Sequence, residues 1–236
     1  MTESRPKPPP HPAEFNTGDM KRDWNARARA CAREYIQAGF GARDPADFSA
    51  TGVQDAASLA RYVGPSDVVL DLGCGIGRIA RELQPLVREI HAVDVSEEMI
   101  RQARDYVGPG SRIHFHVNDG SSLEALADRS IDFAFSILTM HHVTRAVFRR
   151  YLGEVHRVLR PGGRFLFSVI SKDRSPSFEI DETRDTFTGR AYSDAELDAL
   201  VSQGWEELER WFIEGGEGEW RMSYIHLLLR KPGPAE

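Results

Sequence analysis

Residues 68–80 read VVLDLGCGIGRIA. A short run rich in Val and Leu ends on Leu72, three glycines follow at alternate positions (Gly73, Gly75 and Gly77), and a helical pattern then begins without a gap. An apolar run of this length reads as a buried strand. Glycines permit a tight turn with backbone close to a ligand, and the first helical turn offers N–H groups that have no partner in the helix. The stretch is therefore a strand, a cradle and a helix start.

The same rhythm continues outward. Further strands are expected at Ile90–Val95, Ile113–Val117, Ile131–Ile137 and Arg164–Ile170, with helices at Ile76–Leu83, Ser96–Val107 and Arg145–Leu159 and a short turn near Leu123. Strands alternating with helices specify a parallel sheet covered on both faces, because right-handed crossovers place the helices there. A helix at Asp194–Val201 and strands at Glu207–Ile213 and Met222–Leu229 follow. Upstream, a helix opens at Asp19 and ends at Gly39, carrying Met20, Trp24, Ala28, Cys31 and Tyr35 on one face, with Arg27, Arg29 and Arg33 opposite as a solvated face. A second helix is expected from Thr51 to Tyr62, closed by Gly64-Pro65. Residues 1–17 hold five of the thirteen prolines, the composition of a disordered tail.

Composition bounds the rest. The 236 residues are 41% hydrophobic and 28% charged, enough for one large core. No apolar run approaches the ~18 residues that a membrane span needs, and the proline-rich start is unlike a secretory signal. The net charge of −6 argues against duplex nucleic acid as the main partner. Cys31 and Cys74 are the only cysteines, too few for a disulfide framework or a four-ligand zinc set. The expectation is a cytoplasmic protein with one main domain and no metal.

Asp94 closes the second strand, twenty-one residues beyond Gly73, where a carboxylate can accept both hydroxyls of a ribose. A nucleoside-containing ligand follows. The dinucleotide fingerprint GxGxxG would need glycine at position 78, which is Arg78. Asp71 lies two residues before the glycines, where it would repel a pyrophosphate and suit an ammonium or sulfonium group.

With these residues the chain resembles a class I S-adenosylmethionine-dependent methyltransferase of the small "type 11" kind, over about residues 66–171. Besides VLDLGCGIGR, the similar segments are HAVDVSEEMI (91–100), NDG (118–120), FAFSILTMHHV (133–143) and EVHRVLRPGGRFLFSV (154–169). The resemblance implies a Rossmann-like α/β fold with seven strands in the order 3-2-1-4-5-7-6, the seventh antiparallel, and helices on both faces. It implies an N-terminal helical cap over 18–65 and a cofactor-binding domain over 66–236. It also assigns roles to residues. Gly73, Cys74, Gly75 and Gly77 would pass under the methionyl part of S-adenosylmethionine, with Asp71 near its amino group. Asp94 would hold the ribose, Val95 and Met99 would flank the adenine, and Asp119 would accept from its amino group, with Gly120 allowing close approach. Ser136 and Ile137 would add backbone contacts, and LRPGG would be a structural turn.

Several residues carry a sharp and a plain reading. Cys74 serves the turn as a small residue better than it serves as a nucleophile. His114 and His116 share a strand face without the partners a metal needs. Trp24 and Tyr35 read as core packing or as walls of the acceptor pocket, since aromatic faces attract a sulfonium. His141 and His142 follow the fourth strand, at the ligand-binding edge of such sheets. In some small-molecule relatives the first of two such histidines resembles a base, oriented by a carboxylate at the end of the fifth strand. Here that stretch is Ser168-Val169-Ile170-Ser171 and has none. His141 is the candidate base, and His142 packs or lines the pocket.

The implied chemistry is methyl transfer to a small-molecule acceptor. A catalytically silent cofactor-binding protein and a protein methyltransferase are the alternatives. The Asn-Pro-Pro-aromatic element of adenine and cytosine amino methylases is absent after the fourth strand, no carboxylate of the metal-dependent catechol type lies between Ser136 and Thr144, and two cysteines are too few for arsenic methylation. Two loops on the cofactor edge are lid candidates, about 171–192 and 214–221, the second carrying Trp220.

Overall fold

The computed structural model describes residues 20–36, 45–175, 186–187, 189–202, 204–215 and 222–233. The stretch 1–17, the expected helix end at Gly39, and the loop residues 176–185, 188 and 216–221, Trp220 included, lie outside the described residues.

Among the described residues eight strands form one sheet: β1 Val68–Leu72, β2 Glu89–Asp94, β3 Ile113–Val117, β4 Ile131–Ser136, β5 Leu159–Ser171, β6 Ala191–Tyr192, β7 Glu206–Gly215 and β8 Met222–Arg230. The described α-helices that accompany them are α1 Met20–Ile36, α2 Pro45–Leu59, α3 Arg78–Leu83, α4 Glu97–Val107, α5 Arg145–Val158 and α6 Asp194–Val201. The strand order is β3-β2-β1-β4-β5-β8-β7, with β6 paired to the end of β5. β8 runs antiparallel to β5 and β7, and the other described pairs are parallel. With β7 and β8 as the expected sixth and seventh strands, this is the anticipated α/β order, and the two-residue β6 is an addition to it.

Strand alternation sorts the core into two layers. Val68, Leu70 and Leu72 pack with Phe165, Phe167 and the α5 residues Phe148, Leu152 and Val155. Val69 faces the opposite layer with Phe133, Phe135, Ile79, Leu83 and Ile100. Both layers are buried, so β1 is covered on both faces and reads as an almost unbroken apolar run.

Several boundaries differ from the expectation. α2 starts at Pro45, six residues early, and its expected last turn is a 3-10 turn at Ala60–Tyr62. LRPGG lies inside β5: Leu159 pairs with Ile131, the register shifts, and Arg164 pairs with Phe133. The extra residues form a bulge rather than a turn before the strand. In α1 the buried face is Asp23, Arg27, Ala28, Ala32 and Tyr35, with a kink at Cys31. Arg27 is 0% exposed, so it does not belong to a solvated face. Its guanidinium donates to Thr186 Oγ1 (2.7 Å) and lies over the rings of Trp24 and Phe187, contacts that compensate a buried cation.

Polar ends fix α1 to the sheet. Asn25 Oδ1 accepts from Ser96 Oγ (2.8 Å) and from the backbone N–H of Glu98 (3.0 Å) at the start of α4. Ser96 caps that helix by accepting from the Met99 N–H. On α5, Gly153 is exposed and a Cβ there would meet nothing within 4 Å. Gly153→Ala is expected to stabilise the protein by about 0.5–1 kcal/mol, the helix-propensity difference, read as a rise in the urea midpoint. An unchanged midpoint would show that α5 frays at that turn.

Among the described residues no helix is long and apolar enough to cross a membrane.

Candidate functional site

The turn after β1 is held by its own backbone. The N–H groups of Gly73 and Cys74 both donate to Val93 O, at 2.8 and 3.0 Å, and Gly77 donates to Cys74 O at 2.9 Å. Gly73 has φ +80°, and a Cβ there would lie 2.2 Å from Thr139 Cγ2. Gly75, at φ +55°, has room for no Cβ against Ile36 Cδ1 (2.8 Å). The loop after β4 and the end of α1 therefore close directly onto bare backbone.

Asp94 clasps this turn from the end of β2. Its Oδ2 accepts from Gly75 N–H (2.9 Å) and its Oδ1 from Ser96 N–H (2.8 Å). Burial nonetheless raises its pKa, outweighing those bonds. Asp71 is 3% exposed and accepts no hydrogen bond from the described residues. Burial pushes its pKa up to about 8, the Arg78 guanidinium opposing and Asp94 adding to the rise.

These groups border one cavity. Of the expected site residues, Asp71, Gly73, Cys74, Gly75, Asp94, Val95, Met99, Ile137, Trp24, Tyr35 and His142 line it. Gly77 stands behind the wall as the N-cap of α3. Ser136 is buried, donating through Oγ to Leu72 O, and Gly120 is buried beside Val95.

Asp119 is placed differently. It is exposed, and its Oδ1 accepts from the N–H groups of Ser121 (2.8 Å) and Ser122 (2.7 Å). Burial acts to raise its pKa, but these bonds win and hold it below the usual carboxylate range. The Cys74 thiol is pushed well up by burial and by the nearby Asp71 and Asp94, the reverse of what a nucleophile needs.

His141, the expected base, is 4% exposed and is not part of the cavity wall. Its carbonyl accepts from Arg190 N–H, its ring packs against Gly189 and Tyr224, and burial takes its pKa down to about 3. His142 holds the wall position instead, edge-on to Trp24 at 5.2 Å and stacked on Phe187 at 5.9 Å. Burial, with His141 and Arg27 adding, holds its imidazole neutral.

The wall also holds Arg78, Asn118, Leu138, Thr139 and Tyr151, which the sequence reading does not single out. Arg78 is buried and pairs with Asp55 of α2 at 2.6 Å. Leu138, at φ +59°, donates its N–H to Ser168 Oγ. Far from this cavity, His91 stacks on both His114 and His116 at 5.2 Å, and its Nδ1 is 3.0 Å from His116 Nε2. Among the described residues no group converges to hold a metal ion.

The geometry fits a cationic nucleoside. Two carboxylates border the Cβ-free glycine turn: the Asp71 side chain accepts no hydrogen bond among the described residues, and Asp94 holds the Gly75 and Ser96 N–H groups.

Comparison with known proteins agrees. Residues 69–163 match the family model described as a methyltransferase domain. The chain is 31% identical over 154 residues to a malonyl-[acyl-carrier protein] O-methyltransferase of Methylococcus capsulatus, covering 59% of this chain and 53% of that one. It is 31% identical over 124 residues to an S-adenosyl-L-methionine-dependent Diels-Alderase of Talaromyces variabilis, covering 51% and 41%. The chain thus spans about half the length of these curated relatives. The crystal structure of the N-methyltransferase NodS of Bradyrhizobium japonicum, in complex with S-adenosyl-L-homocysteine, superposes with a TM-score of 0.67 at 17% identity, covering 91% of this chain and 99% of that one. Residues 69–163 thus match a methyltransferase-domain model, and the sheet built around them has the fold of the NodS methyltransferase structure.

Proposed function

We propose that this chain transfers the methyl group of S-adenosylmethionine to an oxygen or nitrogen of a small-molecule acceptor. The observation that carries the reading is the pair of carboxylates, Asp71 and Asp94, on either side of the glycine cradle in one cavity. The bound cofactor supplies an electrophilic methyl group on a sulfonium. Asp94 would hold the ribose hydroxyls, Asp71 the ammonium group, and Val95 and Met99 the faces of the base. Methyl transfer is an in-line displacement, so positioning supplies most of the catalysis. Trp24, Tyr35 and His142 also line the cavity and would form the acceptor wall. His142 is neutral, and so can accept a hydrogen bond from an acceptor O–H or N–H.

A second reading is a cofactor-binding protein without methyl transfer. It is supported by the similarity to the Diels-Alderase and by Ser168–Ser171, which provides no carboxylate to orient either histidine.

Calorimetry with S-adenosylmethionine and with NAD is the first test. Binding of S-adenosylmethionine and none of NAD is expected, since Arg78 stands where the dinucleotide fingerprint needs its third glycine. Tight NAD binding with no S-adenosylmethionine signal would sink both readings. Release of S-adenosylhomocysteine in a metabolite extract then separates the first reading from the second.

A further inference from the structure

Tyr151 sits on the buried face of α5 with Phe148, Leu152 and Val155, at the spacing of a core residue, yet it lines the ligand cavity. Its hydroxyl meets Asn118 Nδ2 at 2.9 Å. The direction of that bond can be derived. Asn118 Nδ2 also lies 2.8 Å from Ser122 O, a carbonyl that can only accept, and Asn118 Oδ1 takes the Gly120 N–H at 3.1 Å, a group that can only donate. Both neighbours set the amide the same way round, so Nδ2 is the donor toward Tyr151. The Tyr151 oxygen accepts, and its own proton is left to point elsewhere.

No described residue takes that proton, although Tyr151 is only 4% exposed. A buried hydroxyl donor calls for an acceptor. Tyr151, Asn118 and Asp94 line the same cavity, the one in which the nucleoside would lie. Burial raises the phenol further above its already high range, so it keeps its proton throughout the neutral range. Asp119 meanwhile spends its Oδ1 on Ser121 and Ser122 and stands outside the wall.

We infer that Tyr151 is a cofactor-positioning residue whose hydroxyl, set by Asn118, donates a hydrogen bond to a ring nitrogen of the purine base. A purine ring nitrogen is an acceptor, the complement of this donor. The inference rests on the cofactor reading above and adds to it a contact outside the glycine loop and the acidic residues.

The test is calorimetry with S-adenosylhomocysteine and its 1-deaza, 3-deaza and 7-deaza analogues, on the wild-type protein and on Tyr151→Phe. The variant keeps the ring and loses only the hydroxyl, and its unliganded thermal midpoint reports any structural cost separately. Tyr151→Phe is expected to bind S-adenosylhomocysteine about three- to tenfold more weakly, the effect of one hydrogen bond. One deaza analogue should bind the two proteins equally, because it lacks the nitrogen concerned. Equal affinity of both proteins for S-adenosylhomocysteine overturns the inference alone, as does an equal loss across every analogue. Wild-type affinities that are the same for all three analogues and for S-adenosylhomocysteine overturn it without any variant. A wild-type protein that binds none of these ligands overturns the cofactor reading as well.

Discussion

Gly73→Ala is expected to cost roughly 2–5 kcal/mol of stability, with loss of cofactor binding. Two effects add. The residue sits at φ +80°, where an L side chain is strained by about 1–2 kcal/mol. Its Cβ would also lie 2.2, 2.4 and 2.7 Å from three atoms of Thr139, an overlap whose relief costs about 1–3 kcal/mol. Relief requires the loop after β4 to move, and that loop holds Ile137, Leu138 and His142 on the cavity wall. Urea unfolding measures the first effect and calorimetry the second. A midpoint within error of wild type would refute both the strain and the overlap. The double variant Gly73→Ala with Thr139→Ala should relieve the overlaps with Thr139 Cγ2 and Oγ1 but neither the 2.7 Å approach to its Cβ nor the strain, so partial rescue is the expected pattern.

The sheet is legible in the sequence because β1 to β4 are short runs of five or six residues built on apolar side chains, with helical periodicity in the stretches around them. In β1, and almost throughout β4, burial on both faces frees that signal from register, whereas β3 leaves His114 and Val117 exposed. β6 is not legible: Ala191 and Tyr192 are too few for any period, and they become a strand only by pairing with Ile170 and Ser171. The early start of α2 carried one usable signal, Pro45 at the first helical position, where its missing N–H costs nothing.

The same contrast divides the site. Asp71, the glycines and Asp94 sit at fixed distances along the chain, so their convergence could be read from spacing. Tyr151 and Arg78 could not. The first is masked by perfect core periodicity and the second by the expectation that arginine seeks water. His142 displaces His141 from the wall through the path of the loop after β4, in which the N–H of His142 bonds to Thr139 O. Arg27 is buried because Thr186, 159 residues away, folds over it. Such placements depend on tertiary contacts that no local window contains.

Asp71 links both stability and ligand binding to pH, and the sign can be worked out. In the unfolded chain an aspartate ionises near 3.9. Buried in the folded protein, with Asp94 nearby, Asp71 does so at about 8. Between those values the folded state holds a proton that the unfolded chain has released. Its contribution is therefore fully present below about pH 4 and falls by about 1.4 kcal/mol per pH unit until about pH 8. Asp71→Asn, similar in shape and never charged, should match the wild type at pH 4 and exceed it by on the order of 4 kcal/mol near pH 7. A stability difference between the two proteins that is flat from pH 4 to 8 would refute the linkage. Binding should show the converse. A ligand ammonium beside Asp71 favours the ionised carboxylate, so S-adenosylmethionine binding at pH 7 is expected to release a proton and to strengthen as pH rises toward 8. Calorimetry in phosphate and in Tris, whose ionisation heats differ, counts that proton directly. Equal binding heats in the two buffers would place the ammonium elsewhere. With Asp71→Asn the buffer dependence should vanish and the affinity should drop, so the residue that costs the empty protein stability is the one that draws in the cation.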